Sequence, residues 1–68
     1  MNIVQLNKIV TDVLITFGEW MNKEWNHYYD GRSSMVLEII HSHPSELKDN
    51  EFKYIFETVM ITIPYSYE

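Results

Sequence analysis

One apolar stripe of helical period runs from residue 3 to residue 28 and governs what this chain can fold into. At about 100° per residue, Ile3, Leu6, Ile9, Val10, Val13, Leu14, Phe17, Trp20, Met21, Trp25 and Tyr28 gather in an arc of roughly 160°. Gln5, Lys8, Thr11, Asp12, Thr16, Glu19, Asn22, Lys23 and Asn26 fill the opposite side. Three residues break the pattern: Val4 and Ile15 fall on the wet side, and Glu24 falls inside the apolar arc. A helix of this span takes up more than a third of the 68 residues and reaches about 39 Å at 1.5 Å per residue.

The ends of this helix carry local signals. Asn2 is a good N-cap, and Gln5 lies three residues on, where its side chain reaches back. Gly18 lowers helix propensity by about 1 kcal/mol and marks a point where a kink is tolerable. Asp30-Gly31 is expected to end the helix, with Gly31 in the left-handed conformation.

The second half of the chain reads in two ways. Ser33 or Ser34 is placed to cap a short helix carrying Met35, Val36, Leu37, Ile39 and Ile40, yet the same apolar run suits a strand. Pro44 then fits the first turn of a new helix, with Glu46 near its positive end. Beyond Asp49, Phe52, Ile55, Phe56, Val59, Met60 and Ile63 share one helical face. Val59, Ile61, Ile63, Tyr65 and Tyr67 alternate as in a strand. The helical match covers more residues. The expected fold is therefore mainly α: one domain over residues 1–68, in which a long N-terminal amphipathic helix packs with two shorter helices. The alternative is α+β, with the N-terminal helix on a small C-terminal antiparallel sheet.

Composition narrows the function. Ten acidic and five basic residues give a net charge of −5, so phosphate backbones and anionic lipid repel the chain. Direct nucleic-acid binding and membrane binding are not expected. The absence of cysteine excludes disulfides and thiolate-bound zinc, and no leader or spanning segment is visible. A cytoplasmic protein without a cofactor is the expectation.

One string resembles a chemical motif. His41-Ser42-His43-Pro44 is similar to the H-x-H-P core of the JAMM/MPN+ metallohydrolases. The resemblance implies two zinc-binding histidines at the end of a strand, completed by an aspartate, with a serine after the proline and an upstream glutamate that activates water. The positions that would carry the serine and the aspartate hold Glu51 and Tyr54 here. Without those residues His41 and His43 form at most a weak, degenerate metal site, and a helix would stop them facing one another. The plainer reading is a polar turn leading into a proline-capped helix, in a protein that is not an enzyme.

Two shorter helices cannot easily cover all of the long one. If the second helix starts where the first ends, the N-terminal end with Ile3, Leu6 and Val10 is the part left uncovered. Ile3, Leu6, Val10, Val13, Phe17 and Trp20 repeat at the spacing that seats one helix on another. Among the aromatic residues, Trp20, Trp25 and Tyr28 lie in the apolar arc. Tyr29, Tyr65 and Tyr67 are candidates for surface contact. The expected function is binding of another protein, or of a second copy as a homodimer, by steric blocking or docking. In size and charge this resembles phage-encoded inhibitors and antitoxin-like partners. The alternative is an acidic mimic of nucleic acid that occupies a basic cleft.

Overall fold

The computed structural model describes residues 1–24 and 31–63. They form three helices: α1 from Ile3 to Glu24, α2 from Arg32 to Ser42, and α3 from Asp49 to Thr62. The mainly α expectation holds, and the alternative sheet has no support: both apolar runs of the second half are helical. Helix α1 passes through Gly18 without a break. The expected extension of this helix to residue 28, with Trp25 and Tyr28, lies outside the described residues.

The start of α1 is built as its sequence suggests. The Gln5 amide donates to Asn2 Oδ1 at 2.9 Å, and the Asn2 amide donates to Gln5 Oε1 at 3.0 Å. Each side chain thereby satisfies a backbone donor that the first turn leaves open.

The later helix boundaries differ from expectation. Gly31 is not left-handed; at φ −94° it is the N-cap of α2, and Ser33 and Ser34 lie inside the first turns. Pro44 does not open a helix. It ends one, because a residue before proline is pushed out of the α region. His43 is accordingly extended, with its N–H returned to the Ile40 carbonyl. Ile63, which precedes Pro64 in the sequence, ends α3 in the same way, with its N–H on the Val59 carbonyl. Helix α3 therefore starts at Asp49, after the link over residues 43–48.

Contacts between side chains fix the topology. Ser42 and His43, at the end of α2, share a cleft with Asp12 and Thr16, so α2 runs back along α1 toward its N-terminus. Glu51 then meets the Met1 amine at 2.7 Å, and the Tyr54 hydroxyl donates to Asn7 Oδ1 at 2.7 Å. Helix α3 thus runs alongside α1 in the same direction, and each helix touches both others.

This route overturns the expectation that the N-terminal end of α1 stays bare. Leu6 and Val10 are buried, and Ile3 alone of the three is exposed. The link carries the chain back to the start of α1, so α3 covers the part that α2 does not reach. The core gathers Leu6, Ile9, Val10, Val13 and Phe17 from α1, Val36 and Ile40 from α2, and Ile55, Val59 and Ile63 from α3. Leu6, Val10, Val13 and Phe17, expected at a partner interface, are core residues of the chain itself. Trp20 packs half-buried on this core, with its ring 5.5 Å from that of Phe17.

Burial predicts a sharp contrast between two isoleucines of α3. Ile55 is fully buried and Ile61 is 83% exposed. Ile55→Ala is expected to lower unfolding free energy by about 2–5 kcal/mol, and Ile61→Ala to change it by less than about 0.5 kcal/mol. Urea unfolding followed by circular dichroism measures both.

Candidate functional site

Three features of the surface carry chemistry: the two histidines, the Glu51 junction, and the exposed apolar residues beside the α1–α3 seam.

The histidines are brought close in sequence but turned to different helices. His41, in the last turn of α2, lays its ring 4.8 Å from that of Phe52 on α3. His43 lies beside α1, where its Nε2 is 3.4 Å from Asp12 Oδ2. The Ser45 amide donates to His43 Nδ1 at 3.3 Å, which leaves the ring proton on Nε2 and directs it at the Asp12 carboxylate. A helix ending at Ser42 cannot present His41 and His43 on one side, as alternate residues of a strand would. No group of three or more His, Cys, Asp or Glu able to hold a metal ion occurs among the described residues. Glu51 and Tyr54, which stand where the resemblance needs a serine and an aspartate, are held by Met1 and Asn7. The strand context implied by the resemblance to the JAMM/MPN+ metallohydrolases is replaced by a helix end.

His43 and Asp12 line a cleft of about 510 Å³ between α1 and α2. Val13, Ile39 and Pro44 supply apolar wall, and Thr16, Glu38 and Ser42 complete the lining. The Thr16 hydroxyl donates to the Asp12 carbonyl at 3.0 Å, so its oxygen is left as an acceptor.

Glu51 occupies the third position of α3 and, with Arg32, is one of two buried charged residues among the described residues. Its Oε1 accepts from the Lys48 amide at 2.9 Å, and its Oε2 accepts from the Met1 amine. Lysine has no acceptor to return, so Glu51 alone caps this end. The hydrogen bond from the amine, then that from the Lys48 amide, hold the Glu51 carboxyl below the usual carboxylate range, against the opposing effect of burial. Of the two carboxylates in the first turn of α3, Asp49 is exposed and Glu51 joins two helices.

The exposed apolar residues lie mainly beside the α1–α3 seam. Val4 and Ile15, noted in the sequence as breaks in the pattern, are 71% and 55% exposed, and Ile3 is 54% exposed. At 100° per residue, Ile3, Val4, Asn7, Thr11, Ile15, Gly18 and Asn22 occupy one sector of α1 that contains no charged residue. Lys8, Glu19, Asp12 and Lys23 begin where that sector ends. Asn7 is bonded to Tyr54, so the sector borders α3. Ile61 lies seven residues after Tyr54, on the same stripe of that helix. An added Cβ at Gly18 would meet nothing within 4 Å, which leaves a shallow open place in the sector. Of the residues read from sequence as contact candidates, Ile3 belongs to this surface. Tyr29, Tyr65 and Tyr67 lie outside the described residues. Val4, Ile15 and Ile61 were missed as contact residues, although the misplacement of Val4 and Ile15 in the stripe was the signal that marks them.

No helix among the described residues is long and apolar enough to cross a membrane. Compared with known proteins, the chain matches no family model, no curated protein and no solved structure at a significant level.

The position of Glu51 predicts how stability depends on acidity. A carboxyl whose folded pKa is depressed adds stability above its unfolded pKa and loses it as pH falls through the folded value. Glu51→Gln is therefore expected to lower the thermal midpoint at neutral pH. The gap from wild type should narrow on acidification through and below the usual carboxylate range. Thermal melts across a pH series check the sign.

Proposed function

We propose that this protein acts by binding another protein, docking through the uncharged surface along the α1–α3 seam. The observation that supports this reading is the placement of Ile3, Val4, Ile15 and Ile61. Each is more than half exposed; Ile3, Val4 and Ile15 lie within a sector of α1 that holds no charged residue, and Ile61 lies on the neighbouring α3, one turn after the exposed Glu57. Apolar side chains scattered singly over a surface need no explanation, whereas a continuous weakly polar face marks an interaction site. Docking there would block or cover a partner without chemistry, as expected for a small non-enzymatic module.

The same observation favours a second copy of the chain as one such partner. A protein of net charge −5 repels itself, and a face without charge is where two copies approach at least electrostatic cost. The homodimer is thus a special case of the same docking surface.

Val4→Glu with Ile15→Glu tests the reading. Both positions are exposed, so the double variant is expected to keep its helicity and to lose less than about 1 kcal/mol of stability. It should also lose association, measured as solution mass by sedimentation over a concentration series and as capture of any partner retained by wild type. Unchanged association in a folded double variant would contradict the reading.

A further inference from the structure

We infer that the partner on the uncharged face of α1 is a second copy of this chain, laid antiparallel so that Lys8 of each copy meets Glu19 of the other. The inference rests on the docking reading and adds to it the identity of the partner and the register of the contact.

Two copies joined through the same face are related by a two-fold axis. Their α1 helices then lie side by side in the same direction or in opposite directions, and the charges of α1 decide between the two. Lys8 and Glu19 are the charged residues nearest the uncharged sector, on the rim that faces away from α3. In a parallel pair each would stand beside its own equivalent, and the two helix dipoles would be aligned as well. In an antiparallel pair that overlaps over the whole helix, Ile3 falls opposite Glu24. Lys8, five residues in from one end, then falls opposite Glu19, five residues in from the other. The two-fold axis makes this contact twice, on the same rim of the face. Two acidic chains of net charge −5 repel one another in most orientations, whereas this one sets opposite charges together.

Nothing within the chain competes for these two residues. Both are exposed, and neither makes an ion pair among the described residues. They lie eleven residues apart on one helix, about 16 Å along its axis, too far to meet within one copy. The surface between them suits close approach. An added Cβ at Gly18 would meet nothing within 4 Å, so the Lys8 stem of the second copy has room to pass over it to Glu19. Ile15 falls near Thr11 of the second copy. The Thr11 hydroxyl already donates to the Asn7 carbonyl at 3.1 Å, so covering it leaves no donor unpaired.

Charge reversal tests the register, with solution mass measured by sedimentation over a concentration series and helicity checked by circular dichroism. Lys8→Glu and Glu19→Lys, each alone, set like charges opposite one another twice, and each is expected to weaken self-association about tenfold. An equimolar mixture of the two variants restores opposite charges at both contacts, so it should form a mixed dimer about as tight as wild type. Glu19→Lys is the sharper of the two. It replaces one negative charge with one positive and brings the net charge from −5 to −3, which would strengthen association if overall repulsion governed it. Glu19→Lys that associates as well as wild type would overturn the inference, as would a mixture no tighter than its components. A wild type that stays monomeric up to about 1 mM would do the same. Association lost in Val4→Glu with Ile15→Glu but unmoved by charge reversal would remove this pairing and leave the docking surface standing. Association unmoved by either set would remove both.

Discussion

Glu51 is bonded to two places at once, and the rest of the fold depends on the register this sets. One oxygen closes the start of α3 through the Lys48 amide, and the other meets the Met1 amine at the start of α1. Two helix beginnings are thereby held side by side. With the start of α3 fixed there, each later turn falls against the next turn of α1: Tyr54 reaches Asn7, and Ile55 and Val59 enter the core with Leu6, Val10 and Val13. The register decides which apolar residues the chain covers for itself.

From that arrangement follows a division of α1 into three flanks. Its inner face is closed by α2 and α3. On the flank toward α2, Asp12 and Thr16 meet Glu38, Ser42 and His43 across a cleft with acidic groups and apolar wall. Beyond α3, the outer sector holds Ile3, Val4 and Ile15 and carries no charge. Helical geometry produces this separation, because four of the five charged residues of α1, Lys8, Asp12, Glu19 and Lys23, fall within about 60° of one another. A charged flank and an uncharged face thus lie on separate sides of the same helix.

Much of this was legible in the residues. The period of the stripe in α1, the reciprocal Asn2–Gln5 cap and the helical face of Phe52, Ile55, Val59 and Ile63 all read correctly, because each is a local pattern. Gly31 and Pro44 were misread for a shared reason. Each is compatible with either end of a helix, and neighbouring elements decide which. The error over Leu6 and Val10 was a matter of route: helix lengths alone do not say that a six-residue link returns α3 to the start of α1. The double role of Glu51 depends on residues fifty positions apart, which no local pattern reveals. The histidine string, similar to the metallohydrolase core over four residues only, lies at a helix end that turns His41 to Phe52 and His43 to Asp12.

The central claim is that the inner face of α1 is closed by its own chain, which leaves the outer sides of that helix exposed. Amide hydrogen exchange at low protein concentration tests it most directly. The account predicts that Leu6 and Val10 exchange as slowly as Ile55 and Val59, in one cooperative unit, at rates independent of protein concentration. Rapid exchange at Leu6 and Val10, or protection that appears only as concentration rises, would contradict it: a second chain, and not α3, would then be covering the start of α1.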